Sequence, residues 1–288
     1  MTILTALLQG TKLLEEEAIA APRLTAEVLL THALQRERSY LYAHPEEELS
    51  EIAWIHYGRY LHERIKGKPT QYITGRQEFY GRDFRVTPDV LIPRPETEHL
   101  VEAAIARIHP RDLVVDVGTG SGAIAISLAL ETPGHLFATD ISTAALRVAE
   151  ANGQRLSSHV SFLACDLVDA LRDQSINVLV SNPPYVPRTD QPSLQREVRD
   201  YEPHVALFAG PTGLEIYERL IVEAIRVLRP HGWLLLELGY NSLDPVRAIL
   251  ESGLSRDQRE RSIWTDIDVV PDLAGFPRII AARASTTS

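Results

Sequence analysis

Residues 113–130 read LVVDVGTGSGAIAISLAL, and this stretch decides the fold. The apolar run 113–117 predicts a buried β-strand, and the Ala- and Ile-rich run from Ala123 predicts a helix. The turn between them holds three glycines, which allow a backbone to approach a ligand closely. A strand, a glycine-rich turn and a helix in this order are the context that a nucleotide-binding turn requires.

Apolar runs like the first recur along the chain, at 136–139, 160–163, 178–181 and 233–238. Segments rich in Ala and Leu, with the spacing of helices, separate most of them. This alternation favours an α/β fold with a parallel sheet that is covered on both faces. The proline-rich connection 182–212 is longer than packing requires, which is typical of a functional segment.

The chain before this sheet has a different pattern. Residues 1–66 carry apolar side chains at helical spacing and predict a small bundle of helices. Glycines and prolines then break the pattern, and Phe84 and Val86 alternate with charged neighbours, which indicates a hairpin or an extended connector. We therefore predict a helical domain over 1–66, a connector over 67–92 and an α/β domain over 93–288.

The glycine-rich turn is compatible with two ligands. Read as G-x-G-x-x-A, it satisfies the dinucleotide fingerprint, and Asp140 ends the next strand about 20 residues later, where a ribose hydroxyl is held. NAD and S-adenosylmethionine therefore both remain open. Asp116 stands two residues before the first glycine, where it can hold an ammonium group, and the turn has no Arg or Lys for a pyrophosphate. These features favour S-adenosylmethionine, whose adenine is then expected near Asp166.

The four residues Asn182-Pro183-Pro184-Tyr185 follow the fourth predicted strand, in the crevice where open α/β sheets bind ligands. The lone pair of an amide or aryl NH2 group is delocalised, so methylation requires that it be localised toward the methyl donor. The Asn182 side-chain oxygen and the Pro183 carbonyl can accept both N–H groups, and Tyr185 can offer its ring to the planar group. The alternative is a proline-rich turn that Asn182 caps.

Charge and composition limit the partners and the location. The chain has 29 Lys and Arg against 39 Asp and Glu, a net charge of -10, which disfavours duplex nucleic acid as a stable partner. Cys165 is the single cysteine, so no internal disulfide forms, and no Cys and His spacing predicts a metal site. The N-terminus lacks the pattern of a signal peptide, and no apolar run reaches membrane-spanning length. We expect a cytoplasmic protein that does not bind membranes.

Together, DVGTGSG, Asp140 and NPPY resemble the class I methyltransferases that modify planar NH2 groups. Further segments resemble one family among them, the glutamine N5-methyltransferases of peptide chain release factors. These segments are KGKPTQYITG (66–75), EFYGRDF (78–84), IPRPETE (92–98), YEPHVALFAGPTGLEIYERL (201–220) and DLAGFPR (272–278).

The resemblance implies a Rossmann-like class I methyltransferase domain that uses S-adenosylmethionine to methylate the glutamine of the release factor's Gly-Gly-Gln loop, with N-terminal helices that help to dock the factor. It implies that the motif 182–185 holds the glutamine amide. The family often has an aromatic residue at the position of Leu167, so only an apolar contact with adenine is expected there. The residues expected to bind the cofactor are Asp116, Gly118, Thr119, Gly120, Ser121, Gly122, Asp140, Asp166, Leu167 and Asn182.

Other functions remain as alternatives. The same four-residue motif serves N6-adenine DNA and N2-guanine RNA methyltransferases, but base-flipping enzymes need a basic, aromatic recognition region that this acidic chain lacks. A binding module without chemistry is disfavoured because the glycines, Asp140 and the motif are all intact. An NAD oxidoreductase is disfavoured because no acid or base for a hydride site is evident.

Overall fold

The computed structural model describes residues 1–252 and 263–285. The chain folds into two compact units. The first unit contains Met1–Arg76 and Gln195–Tyr201, and the second contains Gln77–Leu194 and Glu202–Ser288. In the part of the chain that is described, no helix has the length and apolar character to cross a membrane.

The first unit is helical. Its helices, numbered in chain order, are α1 (Ile3–Glu16), α2 (Pro22–Leu34), α3 (Arg38–Ala43), α4 (Glu51–Ile65), α5 (Thr70–Thr74) and α9 (Arg196–Tyr201). Thr2 and Ser50 cap α1 and α4, since each hydroxyl accepts a hydrogen bond from a backbone N–H of the first turn. Apolar residues of α1, α2 and α4 form one core, which includes Leu7, Leu29 and Tyr57.

Helix α9 belongs to this unit although it lies far along the chain. Glu197 forms an ion pair with the buried Arg64 of α4, and the Tyr201 hydroxyl donates a hydrogen bond to the carbonyl of Lys66 at 3.2 Å. The chain thus leaves the α/β unit after Leu194 and re-enters it at Glu202.

The second unit is built on a seven-stranded sheet. Its strands are β3 (Leu113–Val117), β4 (His135–Asp140), β5 (Val160–Ala164), β6 (Ile176–Ser181), β9 (Leu228–Glu237), β10 (Trp264–Pro271) and β11 (Pro277–Ala284). Their order across the sheet is β10-β11-β9-β6-β3-β4-β5. The five strands predicted from apolar runs are the parallel ones, whereas β11 pairs antiparallel with both β9 and β10.

Helices cover both faces of this sheet, as predicted. They are α6 (Glu98–Ile105), α7 (Ala123–Glu131), α8 (Thr143–Arg155), α11 (Glu215–Val227) and α12 (Leu243–Ser252). The short helix α10 (His204–Leu207) lies in the connection 182–212. Neighbouring residues of β3 point into different cores, because side chains alternate along a strand. Val115 packs with Tyr217 of α11, and Val114 packs with Leu100 of α6. The predicted α/β fold is confirmed.

Two features were not predicted from the sequence. The first is the antiparallel pair β10 and β11, because β10 reads WTDIDVVP, is mostly exposed and contains a register shift. The second is the regular secondary structure within 182–212, where prolines divide the connection into short elements. These include β7 (Val186–Pro187) and β8 (Phe208–Gly210). Strands β7 and β8 form a small parallel sheet. Another small sheet, β1 (Arg76–Phe79) with β2 (Arg82–Arg85), lies within the segment predicted as a connector.

Candidate active site

The strand order creates a crevice next to β3. The chain passes from β3 outward through β4 to β5, and then returns to the other side of β3 as β6. Loops that leave the carboxyl ends of β3 and β6 therefore diverge, and open α/β sheets bind ligands at such a point. Val117 pairs with Ser181 in the register of the two strands, so the turn from Gly118 and the motif from Asn182 begin side by side.

One open cavity lies at these strand ends, and seven of the predicted site residues line it. They are Gly118, Gly120, Asp140, Asp166, Leu167, Asn182 and Pro184. The other predicted residues are not among those that line it, and they are Asp116, Thr119, Ser121, Gly122, Pro183 and Tyr185. Some residues of the glycine-rich turn and some residues of the motif 182–185 thus line the same cavity.

The glycines of the turn have two different roles. Gly120 has φ +55°, and a Cβ there would meet no atom within 4 Å, so the missing side chain leaves room for a ligand. Gly122 has φ +82°, and a Cβ there would lie 2.8 Å from Cδ1 of Ile126 and 3.2 Å from Cβ of Ala149. This third glycine therefore permits close packing of α8 against the turn and the start of α7.

Asp140 connects the end of β4 to the glycine turn. One carboxylate oxygen accepts the backbone N–H of Gly120 at 2.9 Å, and the other accepts the N–H of Ser142 at 2.8 Å. Burial raises the pKa of Asp140, and the backbone donors oppose that shift. A carboxylate has about four acceptor sites, so besides its backbone donors it can also accept a hydrogen bond from a hydroxyl group.

Asp116 is a fully buried carboxyl under the turn. Its Oδ2 accepts the Thr119 hydroxyl at 2.6 Å and the backbone N–H of Ala125 at 3.2 Å. Its Oδ1 has no hydrogen-bond partner within the described residues. Burial raises the pKa of Asp116 to about 7, and the Thr119 hydrogen bond only partly opposes this. A cationic group next to Oδ1 would complete the coordination of this carboxyl.

Asp166 and Leu167 lie on the other side of the cavity with Arg219 of α11. Arg219 donates to Asp166 at 2.9 Å, and both side chains are about half exposed. The Leu167 backbone is held by the Thr139 hydroxyl, which donates to its carbonyl at 2.9 Å. Ile141 adds a 60% exposed apolar side chain to the lining. This side of the cavity combines apolar surface with an acceptor, as expected of a site for a flat heterocycle.

The motif 182–185 is rigid. Pro183 is buried, and burial raises the pKa of the Tyr185 phenol to about 12. The Tyr185 ring packs so closely against Gly239 that a Cβ at Gly239 would lie 2.6 Å from its Cδ2. The ring therefore anchors the turn in the core and does not line the cavity.

Asn182 is held by the segment before α6. Its Nδ2 donates a hydrogen bond to the hydroxyl of Thr97 at 3.2 Å. The same segment is tied down by Arg94, which pairs with the buried Glu202, and by the N–H of Ile92, which donates to Glu202 at 3.3 Å. The IPRPETE segment thus begins a helix and also supports the site.

Several residues of the site were missed from the sequence. The cavity is also lined by 89–91 and by Pro203, Val205 and Ala206, from two segments that flank the crevice. Arg219 was missed as well, although it lies in the segment 201–220 that carries the resemblance. Cys165 is half-buried, and burial raises the pKa of its thiol. The described residues contain no cluster of His, Cys, Asp and Glu that could hold a metal ion.

Comparison with known proteins identifies the family. The sequence family described as "PrmC N-terminal domain" matches residues 5–75, and "Methyltransferase small domain" matches residues 96–198. The chain is 45% identical over 292 residues to the release factor glutamine methyltransferase of Koribacter versatilis, with 100% of both chains covered. It is 41% identical to that of Moorella thermoacetica, with 98% of each covered.

Among solved structures, a methyltransferase from Pyrococcus furiosus superposes with a TM-score of 0.53 at 18% identity, over 72% of this chain and 91% of that one. This likeness concerns the fold alone and confirms the class I methyltransferase architecture. The resemblance seen in the sequence motifs is confirmed by the full-length identity to curated relatives. The chain belongs to the family of release factor glutamine methyltransferases.

Proposed function

We propose that this protein transfers a methyl group from S-adenosylmethionine to the side-chain amide nitrogen, N5, of the glutamine in the Gly-Gly-Gln loop of a peptide chain release factor. The observation that carries the proposal is that Asn182 and the glycine turn line one cavity at the switch point of the sheet. Membership of the family supports the reaction and the substrate.

The residues at the turn fit this cofactor. Open space at Gly118 and Gly120 leaves room for a ligand against the backbone, and Asp140 can accept a hydrogen bond from a ribose hydroxyl. Oδ1 of Asp116, which has no hydrogen-bond partner among the described residues, suits the ammonium of an amino-acid moiety. Asp166, Leu167 and Ile141 provide one acceptor and two apolar surfaces for adenine. When bound, the sulfonium supplies an electrophilic methyl group.

Asn182 and Pro183 are proposed to activate the glutamine nitrogen. Amide resonance makes the glutamine nitrogen a poor nucleophile. The Asn182 side-chain oxygen and the Pro183 carbonyl accept its two N–H groups and hold its lone pair toward the methyl donor. The rigid turn keeps these acceptors in position before the substrate arrives, so that little entropy is lost during the reaction. A glutamate side chain cannot donate to them, and this sets the preference for glutamine.

Other parts of the proposal rest on the sequence. We assign docking of the release factor to the helical domain 1–66, connection to 67–92 and catalysis to 93–288. The acidic net charge supports a protein partner over a stable nucleic-acid partner, and a translation factor as substrate places the reaction in the cytoplasm. Neither of the two curated relatives supports the alternative of an N6-adenine or N2-guanine methyltransferase.

The test is to incubate the protein with labelled S-adenosylmethionine and with release factor, DNA or ribosomal RNA in parallel. We expect label on the release factor alone, and peptide mass spectrometry should place one methyl group on the loop glutamine. A release factor with Gln→Glu at that position is the matched control and should stay unlabelled. Label on DNA or RNA at a comparable rate would refute the proposal.

A further inference from the structure

A threonine and a glutamate lie behind Asn182, in positions that the proposed reaction does not use. Thr97 is 4% exposed and Glu237 is 2% exposed. Thr97 ends the short turn Pro95–Thr97 before α6, and Glu237 ends β9. Because Leu236 pairs with Ser181 in the register of β9 and β6, Glu237 and Asn182 leave the sheet next to each other.

These residues form a polar chain behind Asn182. Nδ2 of Asn182 donates to Oγ1 of Thr97 at 3.2 Å, and the Thr97 hydroxyl faces the Glu237 carboxyl, whose pKa it lowers as a hydrogen-bond donor. Oε2 of Glu237 has no partner among residues 1–252 and 263–285. The backbone at Glu237 is fixed separately, since the Tyr217 hydroxyl donates to its carbonyl at 2.7 Å. The Thr97 hydroxyl is therefore an uncharged hydrogen-bond donor for the buried Glu237 carboxyl.

The direction of these bonds determines how the Asn182 amide is turned. A hydroxyl has one proton to donate, whereas an ionised carboxylate only accepts. When the Glu237 carboxylate accepts the hydrogen bond of the Thr97 hydroxyl, Thr97 can only accept a hydrogen bond from Asn182. The Nδ2 group of Asn182 therefore faces Thr97. The side-chain oxygen of Asn182 then faces away from Thr97 and has no hydrogen bond from any described residue. Without the carboxylate, Thr97 could donate to that oxygen and turn the amide around.

Resting on the proposed function, we infer that Thr97, supported by Glu237, is a positioning residue that fixes the Asn182 side chain with its oxygen toward the glutamine NH2 group. A reversed amide would present its own N–H groups to the substrate and would repel it. The pair thus selects the one amide orientation that can accept a hydrogen bond from the substrate.

The arrangement has a pH-dependent consequence. Burial raises the pKa of Glu237 to about 7, and the Thr97 hydrogen bond is the largest opposing influence. The charged and titratable groups that face Glu237 are Arg94, Glu96, Tyr185, Tyr217 and Arg278, and the two arginines favour its ionised form. Because the ionised form orients Thr97, kcat is expected to rise with pH across the titration of Glu237.

The kinetic test compares four variants with the parent enzyme on release factor. Thr97→Val should lower kcat about tenfold with unchanged cofactor affinity, because a misplaced acceptor affects the reacting geometry. Thr97→Ser retains the hydroxyl and should restore kcat. Glu237→Gln should lower kcat and remove the rise of kcat with pH. Ser127→Ala removes another buried hydroxyl, one without a partner in the described residues, and should have no effect.

Two outcomes would overturn the inference. One is a Thr97→Val enzyme with parental kcat. The other is a Thr97→Val enzyme whose defect is confined to S-adenosylmethionine affinity by calorimetry, which would assign the hydroxyl to the cofactor. Thermal unfolding of each variant identifies a folding defect, and Thr97→Ser and Glu237→Gln conserve enough shape to carry the test if Thr97→Val does not fold.

A measurement without substrate separates this inference from the proposed function. In isotope-labelled protein, the side-chain NH2 signal of Asn182, identified by its loss in Asn182→Ala, should shift with a midpoint near the pKa of Glu237. The shift should persist in Thr97→Ser and vanish in Thr97→Val and Glu237→Gln. An Asn182 signal that does not respond to pH in the parent protein would refute the positioning role, whether or not release factor is methylated. Absence of methyl transfer by the parent enzyme would instead refute the proposed function.

Discussion

The two turns at the crevice are built from residues with opposite backbone properties. The turn after β3 uses glycines, whose backbone reaches conformations such as φ +55° at Gly120 and leaves empty space for a ligand. The turn after β6 uses two prolines, which restrict the backbone and hold Asn182 in place. Glycine thus provides room, and proline provides orientation. We therefore expect changes in the first turn to affect cofactor binding and changes in the second to affect turnover.

The strongest test of this contrast is Asn182→Ala. Because Asn182 is proposed to hold the substrate in a geometry reached during methyl transfer, its loss should lower kcat about 10²–10³-fold, as for one preorganised electrostatic partner. Cofactor affinity, measured by calorimetry, should change little. An Asn182→Ala enzyme with near-normal turnover on release factor would reduce the motif to a structural turn.

The matching test for the glycine turn is Asp140→Ala. A charge-assisted hydrogen bond contributes about 1.5–3 kcal/mol, so loss of the ribose contact should weaken S-adenosylmethionine binding about 10- to 150-fold. Asp140 also binds the N–H groups of Gly120 and Ser142. Thermal unfolding of Asp140→Ala without cofactor is therefore the control for damage to the turn. Unchanged affinity in Asp140→Ala would remove Asp140 from the cofactor site.

The parts of the site that the sequence predicts are the two turns that follow β3 and β6. The residues Gly118 to Gly122 and 182–185 are local patterns, and each follows an apolar strand whose place in a parallel sheet can be inferred. The hydrogen bond between Thr97 and Asn182 joins residues 85 positions apart, and no local pattern encodes it. The single signal for Glu237 was a glutamate at the end of the apolar run LLLEL, where burial makes a charge costly.

Other parts of the site depend on tertiary packing. The wall at 89–91 has no feature that separates it from an ordinary loop, and only the fold brings it to the crevice. The wall at 203–206 lies in the segment 201–220 that carries the resemblance, but no local pattern marks these residues as cavity lining. Strand β10 was missed because an exposed edge strand carries polar residues and loses the apolar run that marks a buried strand. Strand β11 is buried between β10 and β9, but its apolar run IIAA is short and runs antiparallel to the strands whose alternation with helices predicts the sheet.

A pair of glycine substitutions sharpens the contrast inside the first turn. Gly120→Ala places a Cβ in the open space proposed for the ligand, so it should weaken cofactor binding about tenfold. Both alanines stand at positive φ and share a backbone strain of about 1–2 kcal/mol, to which the second variant adds a steric clash. Gly122→Ala places a Cβ 2.8 Å from Ile126, so it should lower the free energy of unfolding by about 1–3 kcal/mol through overpacking. Denaturant unfolding and calorimetry on both variants separate the effects. Equal loss of stability in both would contradict the division of roles.

The last prediction concerns Asp116, the carboxyl beneath the glycine turn. Burial raises its pKa to about 7 in the folded protein, well above the value of about 4 expected when unfolded. Between these two values the folded state retains a proton that the unfolded state has released, so this residue makes stability fall as pH rises. Asp116→Asn removes that dependence, so the melting temperature of the variant should rise relative to that of the parent protein as pH increases from about 5 to about 8.

An ammonium group beside Oδ1 of Asp116, which has no partner among the described residues, would favour the ionised carboxylate. Saturating S-adenosylmethionine should therefore stabilise the parent protein more than Asp116→Asn, with the larger difference at higher pH. If the two proteins gain equally from the cofactor at every pH, Asp116 supports the turn only through Thr119 and Ala125 and does not contact the ligand.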